Sequence, residues 1–517
     1  MKETRIAAVD MNAAEFKIAG HQLVDRIAGF IDGICERPVT TGISADRLKQ
    51  ITGSAPLPEA GLAAPDLLNR AADLLIKYSL FNGHPKFFGY ITSSAAPIGA
   101  LADLLAAAIN PNAGAYVLSP VATIIEKQVV KWLAALIDVP AFDGLLVSGG
   151  NMANYTAFLA GIHTKAPGNT KQDGIGQTNK KLLVYCSAST HTWIEKAAIL
   201  SGLGSNAIRW IATDDTGGMN IAILENKIRE DIKNGHYPLM IIGTAGDVST
   251  GAVDDLAAIG AVAKTHGLWF HIDGAYGMPA AVVPELKILF EGIEEADSIA
   301  LDPHKWLYCP LEAACTLVKD PNHLLQTYSS HPVYYNFGNE DEPAARNFYE
   351  YGIQNSRGFR ALKVWLALQQ AGKNGYIEMI RTDVQLSKLL FDLAEKHPDL
   401  EAVTQHLSIT TLRYVPNEYR TNTAADQTFL DKVNETLVNE LQHGGELFLS
   451  NALVRQRYCL RLCIVNFRTS KKDIEETIVI IVKEGRRIYE RLKNEMEKHT
   501  PPTDKENHVV SKRKDKK

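Results

Sequence analysis

The sequence predicts an α/β protein whose mostly parallel β-sheet is covered by helices on both faces. Between residues 140 and 320, short apolar runs alternate with polar loops and helical segments, which is the pattern of such sheets. Ligands of these sheets bind beyond the carboxyl ends of the strands. Several chemically versatile residues follow such ends, so we expect the functional site there. The predicted strands are 144–147, 182–185, 239–243, 269–272, 298–301 and 313–318.

Length and composition exclude several classes of protein. The chain has 517 residues. A single hydrophobic core does not extend over a chain of this length, so two or three domains are expected. A net charge of -5 gives no reason to expect nucleic acid or an acidic membrane as a partner, and no run approaches the roughly 18 apolar residues of a membrane span. The N-terminus does not resemble a secretory signal, and the six cysteines lack the paired spacing of a zinc site. We therefore expect a cytoplasmic protein with reduced cysteines and no metal site.

Helices and a second, smaller sheet are predicted outside the central region. Residues 12–37 have the spacing of an amphipathic helix, which must pack on its own body or, as we favour, on a second subunit. Ser119 and Pro120 are typical of a helix start, and Gly372 is the expected end of a helix over 359–371. Strand-like 408–414 and 458–466 alternate with helical 426–442 and 471–497. The predicted division is an N-terminal helical arm at 1–90, a large α/β domain at 91–374, a small α+β domain at 375–500 and a disordered basic tail at 501–517.

Lys305 is the residue that most narrows the chemistry. It lies in Asp302-Pro303-His304-Lys305-Trp306, directly after the apolar run 298–301. An amine at the end of a buried strand is costly without a partner, whereas a Schiff base with a carbonyl cofactor would use it. Asp273 ends another apolar run and adds the acid that holds the pyridinium nitrogen of pyridoxal phosphate (PLP). If the pair His304-Lys305 is considered alone, the alternative to a Schiff-base lysine is an ordinary surface lysine that follows a strand.

Two further segments are suited to binding a cofactor. Ser148-Gly149-Gly150-Asn151-Met152-Ala153-Asn154 follows a strand and opens a helix, whose N-terminal N–H groups and dipole favour an anion. An ordinary glycine-rich turn is the alternative for this segment. His191 follows the strand 182–185 and could lie flat against an aromatic ring or cap a helix.

Together these motifs resemble the group II PLP-dependent decarboxylases, which include the aromatic-L-amino-acid, histidine and glutamate decarboxylases. The resemblance runs from about residue 12 to 495. It implies a fold-type I enzyme with a seven-stranded sheet in the large domain, an N-terminal helical arm, a small C-terminal α+β domain, PLP as cofactor and a homodimer. The motifs that carry it are SGGNMAN (148–154), His191, TAG (244–246), HIDGAYG (271–277), DPHKW (302–306), HPKFFGY (84–90), LSPVATIIE (118–126), SRGFRALKVW (356–365) and LRLCIVNFR (460–468).

The resemblance also implies roles for single residues. Lys305 would be the Schiff-base lysine, and Asp273 would pair with the pyridine nitrogen. His191 would stack on one face of the cofactor ring and Ala275 on the other. His304 would lie near the phosphate or the protonation path, or would only orient its neighbours. The remaining expected cofactor contacts are Thr244 and the backbone N–H groups of Gly150, Asn151 and Met152.

Two departures from the family pattern affect the prediction. Asp247 stands where family members often carry a hydroxyl, so its charge must be paired or solvated. In the expected catalytic loop 331–355, the position of the proton-donating tyrosine of aromatic-amino-acid decarboxylases falls on Phe348. The neighbouring Tyr349 or Tyr351 could serve instead, and Tyr349 is favoured. A true phenylalanine at this position would favour oxygen-dependent deamination to an aldehyde, which is the alternative activity.

The implied activity is decarboxylation of an L-amino acid to its amine, with an aromatic substrate favoured. Tyr90, Ile91 and Gly114 are the expected substrate pocket, and the last two leave more room than the phenylalanines that relatives tend to carry. No arginine marks a pocket for an acidic side chain, so glutamate or aspartate is less favoured, and diaminobutyrate is another alternative. A scaffold protein without turnover is a third possibility, against which the intact Lys305 and Asp273 argue.

Overall fold

The computed structural model describes residues 7–330, 345–419 and 424–499. The predicted basic tail at 501–517 and residues 331–344 of the expected catalytic loop therefore lie outside the described residues. Within these ranges, no helix is long and apolar enough to cross a membrane.

The central feature is a seven-stranded sheet in the order β1-β7-β6-β5-β4-β2-β3. All neighbouring strands run parallel except β7, which is antiparallel to β1 and β6. The six predicted strands are present. Strand β3 was not predicted, because Arg209 interrupts its apolar run. In the structure Arg209 is half-buried and Trp210 is exposed. The strands are β1 Asp143–Val147, β2 Leu182–Ser187, β3 Ile208–Ile211, β4 Tyr237–Thr244, β5 Trp269–Asp273, β6 Ser298–Leu301 and β7 Ala314–Val318.

Helices cover both faces of this sheet, as the sequence predicts. Alternating side chains of a strand point to opposite faces, so Phe270 and Trp269 of β5 enter two separate apolar clusters. The helices are α1 Ala13–Asp32, α2 Ala45–Thr52, α3 Ala64–Tyr78, α4 Pro97–Ile109, α5 Pro120–Leu136, α6 Gly150–Lys165, α7 Thr170–Asp173, α8 Trp193–Leu200, α9 Ile221–Lys233, α10 Leu256–His266, α11 Asn322–Tyr328, α12 Ala361–Lys396, α13 Ala424–Gly444 and α14 Lys471–His499.

A second, four-stranded antiparallel sheet has the order β10-β11-β9-β8. It packs against α12, α13 and α14 around an apolar cluster of its own. The predicted strands correspond to β9 and β11, whereas β10 was missed because Asn451 and Leu453 alternate outward and leave no apolar run. The strands are β8 Leu400–His406, β9 Ile409–Tyr414, β10 Ser450–Val454 and β11 Arg457–Cys463.

Two local signals match their predicted places. Helix α5 starts at Pro120 after Ser119, although the Ser119 side chain makes no capping hydrogen bond. Helix α12 is interrupted at Gly372, whose φ of 63° and ψ of 170° are not helical. The predicted limit between the large and small domains falls just after this interruption and stays a prediction.

The N-terminal arm begins with helix α1, which is closed by a capping box between Asn12 and Glu15. The helix contacts α3 of its own chain, yet Phe16 and Ile18 remain exposed. Of the cysteines, Cys35 is exposed and the other five are buried. All six are free thiols, in line with the reduced cysteines that the sequence predicts.

Candidate active site

The carboxyl edge of the large sheet carries a cavity of about 340 Å³. Strand pairing sets its geometry, because Thr244 at the end of β4 lies beside Asp273 at the end of β5, and Asp273 lies beside Ala300 of β6. The segment after β6 then brings Lys305 to the same edge. The predicted site residues that line the cavity are Tyr90, Ile91, Gly150, Asn151, His191, Thr244, Asp273, Ala275 and Lys305.

The Lys305 amine faces a carboxylate from its own turn. Its Nζ lies 3.0 Å from Oδ2 of Asp302, a side chain that is fully buried. The next residues anchor this turn: Trp306 Nε1 and the Tyr308 hydroxyl both donate to Oδ2 of Asp383, at 2.9 and 2.6 Å. Contacts of Asp302 before Lys305, and of Trp306 and Tyr308 after it, therefore fix the position of this segment.

Asp273 is fixed by a tryptophan that the sequence did not single out. Its Oδ2 accepts a 2.6 Å hydrogen bond from Nε1 of Trp193, and its Oδ1 accepts one from the Ala275 backbone N–H at 3.2 Å. Trp193 follows His191 by two residues and starts α8. The donor leaves the Asp273 carboxylate oriented and able to balance a positive ring nitrogen.

The start of α6 forms a small anion-binding end. Gly149 has a φ of 151°, which favours glycine, and precedes the first helical residue. The first-turn N–H groups of Gly150 and Asn151 have no acceptor inside the helix. Asn154 Nδ2 donates to the Gly150 carbonyl at 3.0 Å, and Asn154 Oδ1 lies 2.7 Å from Nε2 of the buried His271. These contacts tie the start of α6 to strand β5.

Two side chains at the cavity remain available for a ligand. Thr244 Oγ1 is buried and has no hydrogen-bond partner within the described part of the chain. The His191 ring keeps contact with solvent, and its Nδ1 accepts from the Trp193 backbone N–H at 3.3 Å. Desolvation by the surrounding protein lowers the pKa of His191, so the ring is neutral at neutral pH.

These features fit PLP, the cofactor that the sequence resemblance implies. A lysine, a fixed carboxylate, an anion-binding helix start and an unpaired buried hydroxyl surround one cavity. They match, respectively, an aldehyde, a ring nitrogen, a phosphate and a ring hydroxyl.

Two predicted cofactor residues do not line the cavity. The Met152 backbone N–H donates to the Gly149 carbonyl at 2.9 Å, so it is already used, and its side chain packs in an apolar cluster. His304 lies behind the site, with Nδ1 2.6 Å from the Ala313 carbonyl and Nε2 3.7 Å from Oδ2 of Asp302. Burial lowers its pKa. The structure favours the alternative that His304 orients its neighbours.

Two further predicted residues also lie away from the cavity of their own chain. A Cβ on Gly114 would lie 2.1 Å from the Asn355 carbonyl oxygen, so this glycine permits a backbone contact and does not enlarge a pocket. Tyr349 is buried, and its backbone N–H donates to the Gly114 carbonyl at 3.0 Å. The segment 348–350 packs against the outer edge of the sheet, so Tyr349 does not line the cavity of its own chain, and its expected role as a proton donor stays a prediction.

Phe348 is fully buried in the same segment. The Arg357 guanidinium lies 4.8 Å from its ring centroid, and Tyr351 meets it edge to face at 6.4 Å. Arg357 in turn forms a buried ion pair with Glu126 of α5. Phe348 therefore has a packing role in this chain and does not line the cavity.

Asp247 resolves the first departure from the family pattern. Its buried carboxylate accepts hydrogen bonds from the backbone N–H groups of Ser249, Thr250 and Ala252. The charge is satisfied within its own turn and shapes a loop that places Val248 and Ser249 on the cavity wall.

Arg461 is a cavity residue that the sequence reasoning missed. It lies on β11, is 2% exposed, and its Nη1 donates to the Tyr90 carbonyl and to Ser450 Oγ. Its Nε and Nη2 have no hydrogen-bond partner among the described residues. The sequence analysis found no arginine for an acidic side chain, whereas the structure places Arg461 on the cavity wall. Its motif was visible at 460–468, but its contact with Tyr90 joins segments that are far apart in sequence.

Comparisons with known proteins agree with this geometry. The family described as "Pyridoxal-dependent decarboxylase conserved domain" matches residues 52–414. The chain is 31% identical to the aromatic-L-amino-acid decarboxylase of Bacillus atrophaeus, over 92% of this chain and 96% of that protein. It is 29% identical to a phenylacetaldehyde synthase of a Rosa hybrid cultivar, over 90% and 93%. A crystal structure of Catharanthus roseus tryptophan decarboxylase with L-tryptophan superposes with a TM-score of 0.82 and 26% identity, over 92% and 99%.

We predict that Asp383→Asn becomes more stable relative to the unsubstituted protein as pH rises from 4 to 7. Burial raises the pKa of Asp383 to about 7, above the usual 3.8. The stability that the neutral carboxyl contributes is therefore full below pH 3.8 and is lost as pH rises to 7. The asparagine amide stays neutral and its oxygen can accept both hydrogen bonds.

Melting temperatures across this pH range measure the effect. The difference between variant and unsubstituted protein should grow up to about pH 7 and then level off. Asp215→Asn, at an exposed position, is the control and should give a flat difference. A flat difference for Asp383→Asn as well would contradict the assignment of a neutral buried acid.

Proposed function

Because the chain belongs to the pyridoxal-dependent decarboxylase family and is a PLP-dependent carboxy-lyase of amino acids, we propose that its substrate is an aromatic L-amino acid, which it converts to the amine and carbon dioxide. The observation that carries the proposal is the convergence of Lys305 and Asp273 in one cavity whose outer wall includes Tyr90, Ile91 and Val248. That wall offers apolar surface for a ring. The named aromatic specificities of the relatives support the same class.

The residues of the chain have separate tasks in this reaction. PLP, when bound, supplies an electron sink for the bond that breaks. The Asp273 carboxylate, oriented by Trp193, stabilises positive charge at the ring nitrogen. The start of α6 would hold the phosphate, and Lys305 Nζ can hold or give a proton in the cavity. His191, neutral at neutral pH, adds no charge to the cavity wall.

A second candidate is an acidic amino acid, and Arg461 favours it. A buried guanidinium with two unused donors is costly unless an acceptor arrives. A carboxylate on the substrate side chain would supply that acceptor and survive the reaction. The α-carboxylate is a poorer partner, because its loss as neutral carbon dioxide would forfeit the ion pair in the transition state.

The alternative activity, an aldehyde synthase, has less support from the structure of this chain than the sequence analysis gave it. It required Phe348 at the proton-donor position, and Phe348 packs against Arg357 instead. We retain Tyr349 as a proposed proton donor for the site of a second subunit. Tyr334 and Tyr335 of the same segment lie outside the described residues.

A product assay on the PLP-loaded protein tests these alternatives. Tryptophan, tyrosine, phenylalanine, dopa, histidine, glutamate, aspartate and diaminobutyrate would be supplied, and carbon dioxide, amine, aldehyde and oxygen followed together. We expect carbon dioxide and amine from an aromatic substrate without oxygen loss. Aldehyde with oxygen consumption would contradict decarboxylation alone. Tyr349→Phe should lower amine formation if that hydroxyl delivers the proton.

Arg461→Gln separates the two substrate classes in the same assay. For an acidic substrate, loss of a buried ion pair should lower kcat/KM by on the order of 100-fold. For an aromatic substrate the loss should stay below about tenfold, since no ion pair is removed. Arg455→Gln, in the turn between β10 and β11, is the matched control. Turnover of glutamate or aspartate that depends on Arg461 would overturn the aromatic proposal.

A homodimer is the proposed assembly. Helix α4, the start of α5 and the segment between them carry exposed apolar side chains, which a second subunit could cover. The apolar set consists of Leu101, Leu104, Leu105, Ile109, Val117, Leu118, Val121 and Ile124.

Free thiols at five buried positions support a reducing compartment such as the cytoplasm.

Sedimentation analysis tests the assembly. The unsubstituted protein should sediment at twice the 56.7 kDa mass of the chain. Leu104→Glu should shift it to the monomer, because a charge cannot be buried unpaired at an interface. Val479→Glu places the same charge at an exposed apolar position of α14 and should leave the dimer intact. An active monomer would contradict the proposal.

A further inference from the structure

Asp302 is a buried carboxylate without the hydrogen bonds that such a group requires. It is 0% exposed, and neither of its oxygens has a hydrogen-bond partner in the described ranges. Lys305 Nζ, at 3.0 Å from Oδ2, forms an ion pair whose angles do not meet those of a hydrogen bond. A buried carboxylate in this state is costly. Packing alone therefore does not explain why a carboxylate occupies this position.

The carboxylate lies where a second anion is expected. A Cβ on Gly150 would lie 2.5 Å from Oδ2 of Asp302, so Asp302 packs directly against the first residue of α6. The N-terminus of α6 carries partial positive charge and free N–H groups. This is the same helix end that fits the phosphate of the cofactor. Two anions would share one helix start.

Few charges are available to balance them. The titratable groups that face Asp302 are Lys305 and His304 from its own turn, His191 from the loop after β2, and Cys315 from β7. Burial lowers the pKa of both histidines and raises the pKa of Cys315. All three are thus neutral at neutral pH, and among the described residues the Lys305 ammonium is the counter-ion that remains. Cofactor binding commits that amine to the cofactor.

We propose that Asp302 links cofactor binding to the uptake of a proton. In the cofactor-free chain the carboxylate is the resident counter-ion of Lys305. When the phosphate occupies the start of α6, the carboxylate takes one proton from solvent and becomes a neutral acid. Its O–H can then donate to a phosphate oxygen, where the carboxylate would repel it. The proposal rests on PLP binding at this site and not on which amino acid is converted.

The test compares PLP affinity of the cofactor-free protein and of Asp302→Asn from pH 6 to 9, measured by absorbance and by quenching of tryptophan fluorescence. The asparagine amide offers a neutral donor at every pH. We expect the ratio of the two dissociation constants to rise with pH by up to tenfold per pH unit, with the variant binding more tightly at pH 8 and the difference closing toward pH 6. Taking the ratio removes the ionisation of the phosphate, which both proteins share.

Asp297→Asn is the matched control, because it neutralises a half-buried carboxyl just before β6, at the opposite end of that strand. It should leave the pH dependence unchanged. A constant ratio for Asp302→Asn, or weaker binding by this variant at every pH, would overturn the proposal. A protein that binds no PLP would instead contradict the cofactor site itself.

Calorimetry on the unsubstituted protein gives a test that does not require the variant to fold. PLP binding at pH 8 would be measured in Tris and in HEPES, whose ionisation enthalpies differ. We expect the difference in heat to report net proton uptake by the unsubstituted protein. No net proton uptake by the unsubstituted protein would overturn the role of Asp302.

Discussion

The pairing register of β4, β5 and β6 is the constraint on which the site depends. It places Thr244 beside Asp273 and Asp273 beside Ala300, so that the segment with Lys305 leaves the sheet at the same edge. A slip of one residue would turn each of these side chains to the other face. The large apolar residues that fix this register, among them Trp269 and Phe270, lie on opposite faces of the sheet.

The electrostatics of the site follow from three buried carboxylates that differ in their partners. Asp273 accepts two hydrogen bonds and keeps its charge available for a ring nitrogen. Asp383 accepts two hydrogen bonds that hold Trp306 and Tyr308 in place. Asp302 has the Lys305 amine as its counter-ion and lies against Gly150 at a helix start. Similar carboxylates therefore serve as cofactor partner, anchor and counter-ion because their surroundings differ.

Much of this arrangement could be predicted because it is encoded locally. The short apolar runs, and the polar residues that end them, were enough to predict the parallel sheet and the place of Lys305 and Asp273 at its edge. Trp193 and Arg461 were missed because their contacts join segments 80 and 371 residues apart in the chain. Gly114 and Tyr349 lie outside the cavity of their own chain, and their roles stay predictions because counting residues through a loop has no periodic signal to check it.

Covalent mapping of the cofactor tests the central claim most directly. The PLP-loaded protein would be reduced with borohydride, which locks a covalently held cofactor onto its lysine, and digested for mass spectrometry. The account predicts the added mass on Lys305 alone, and its absence in Lys305→Ala. Modification of another lysine such as Lys363, or of none, would contradict the site described above.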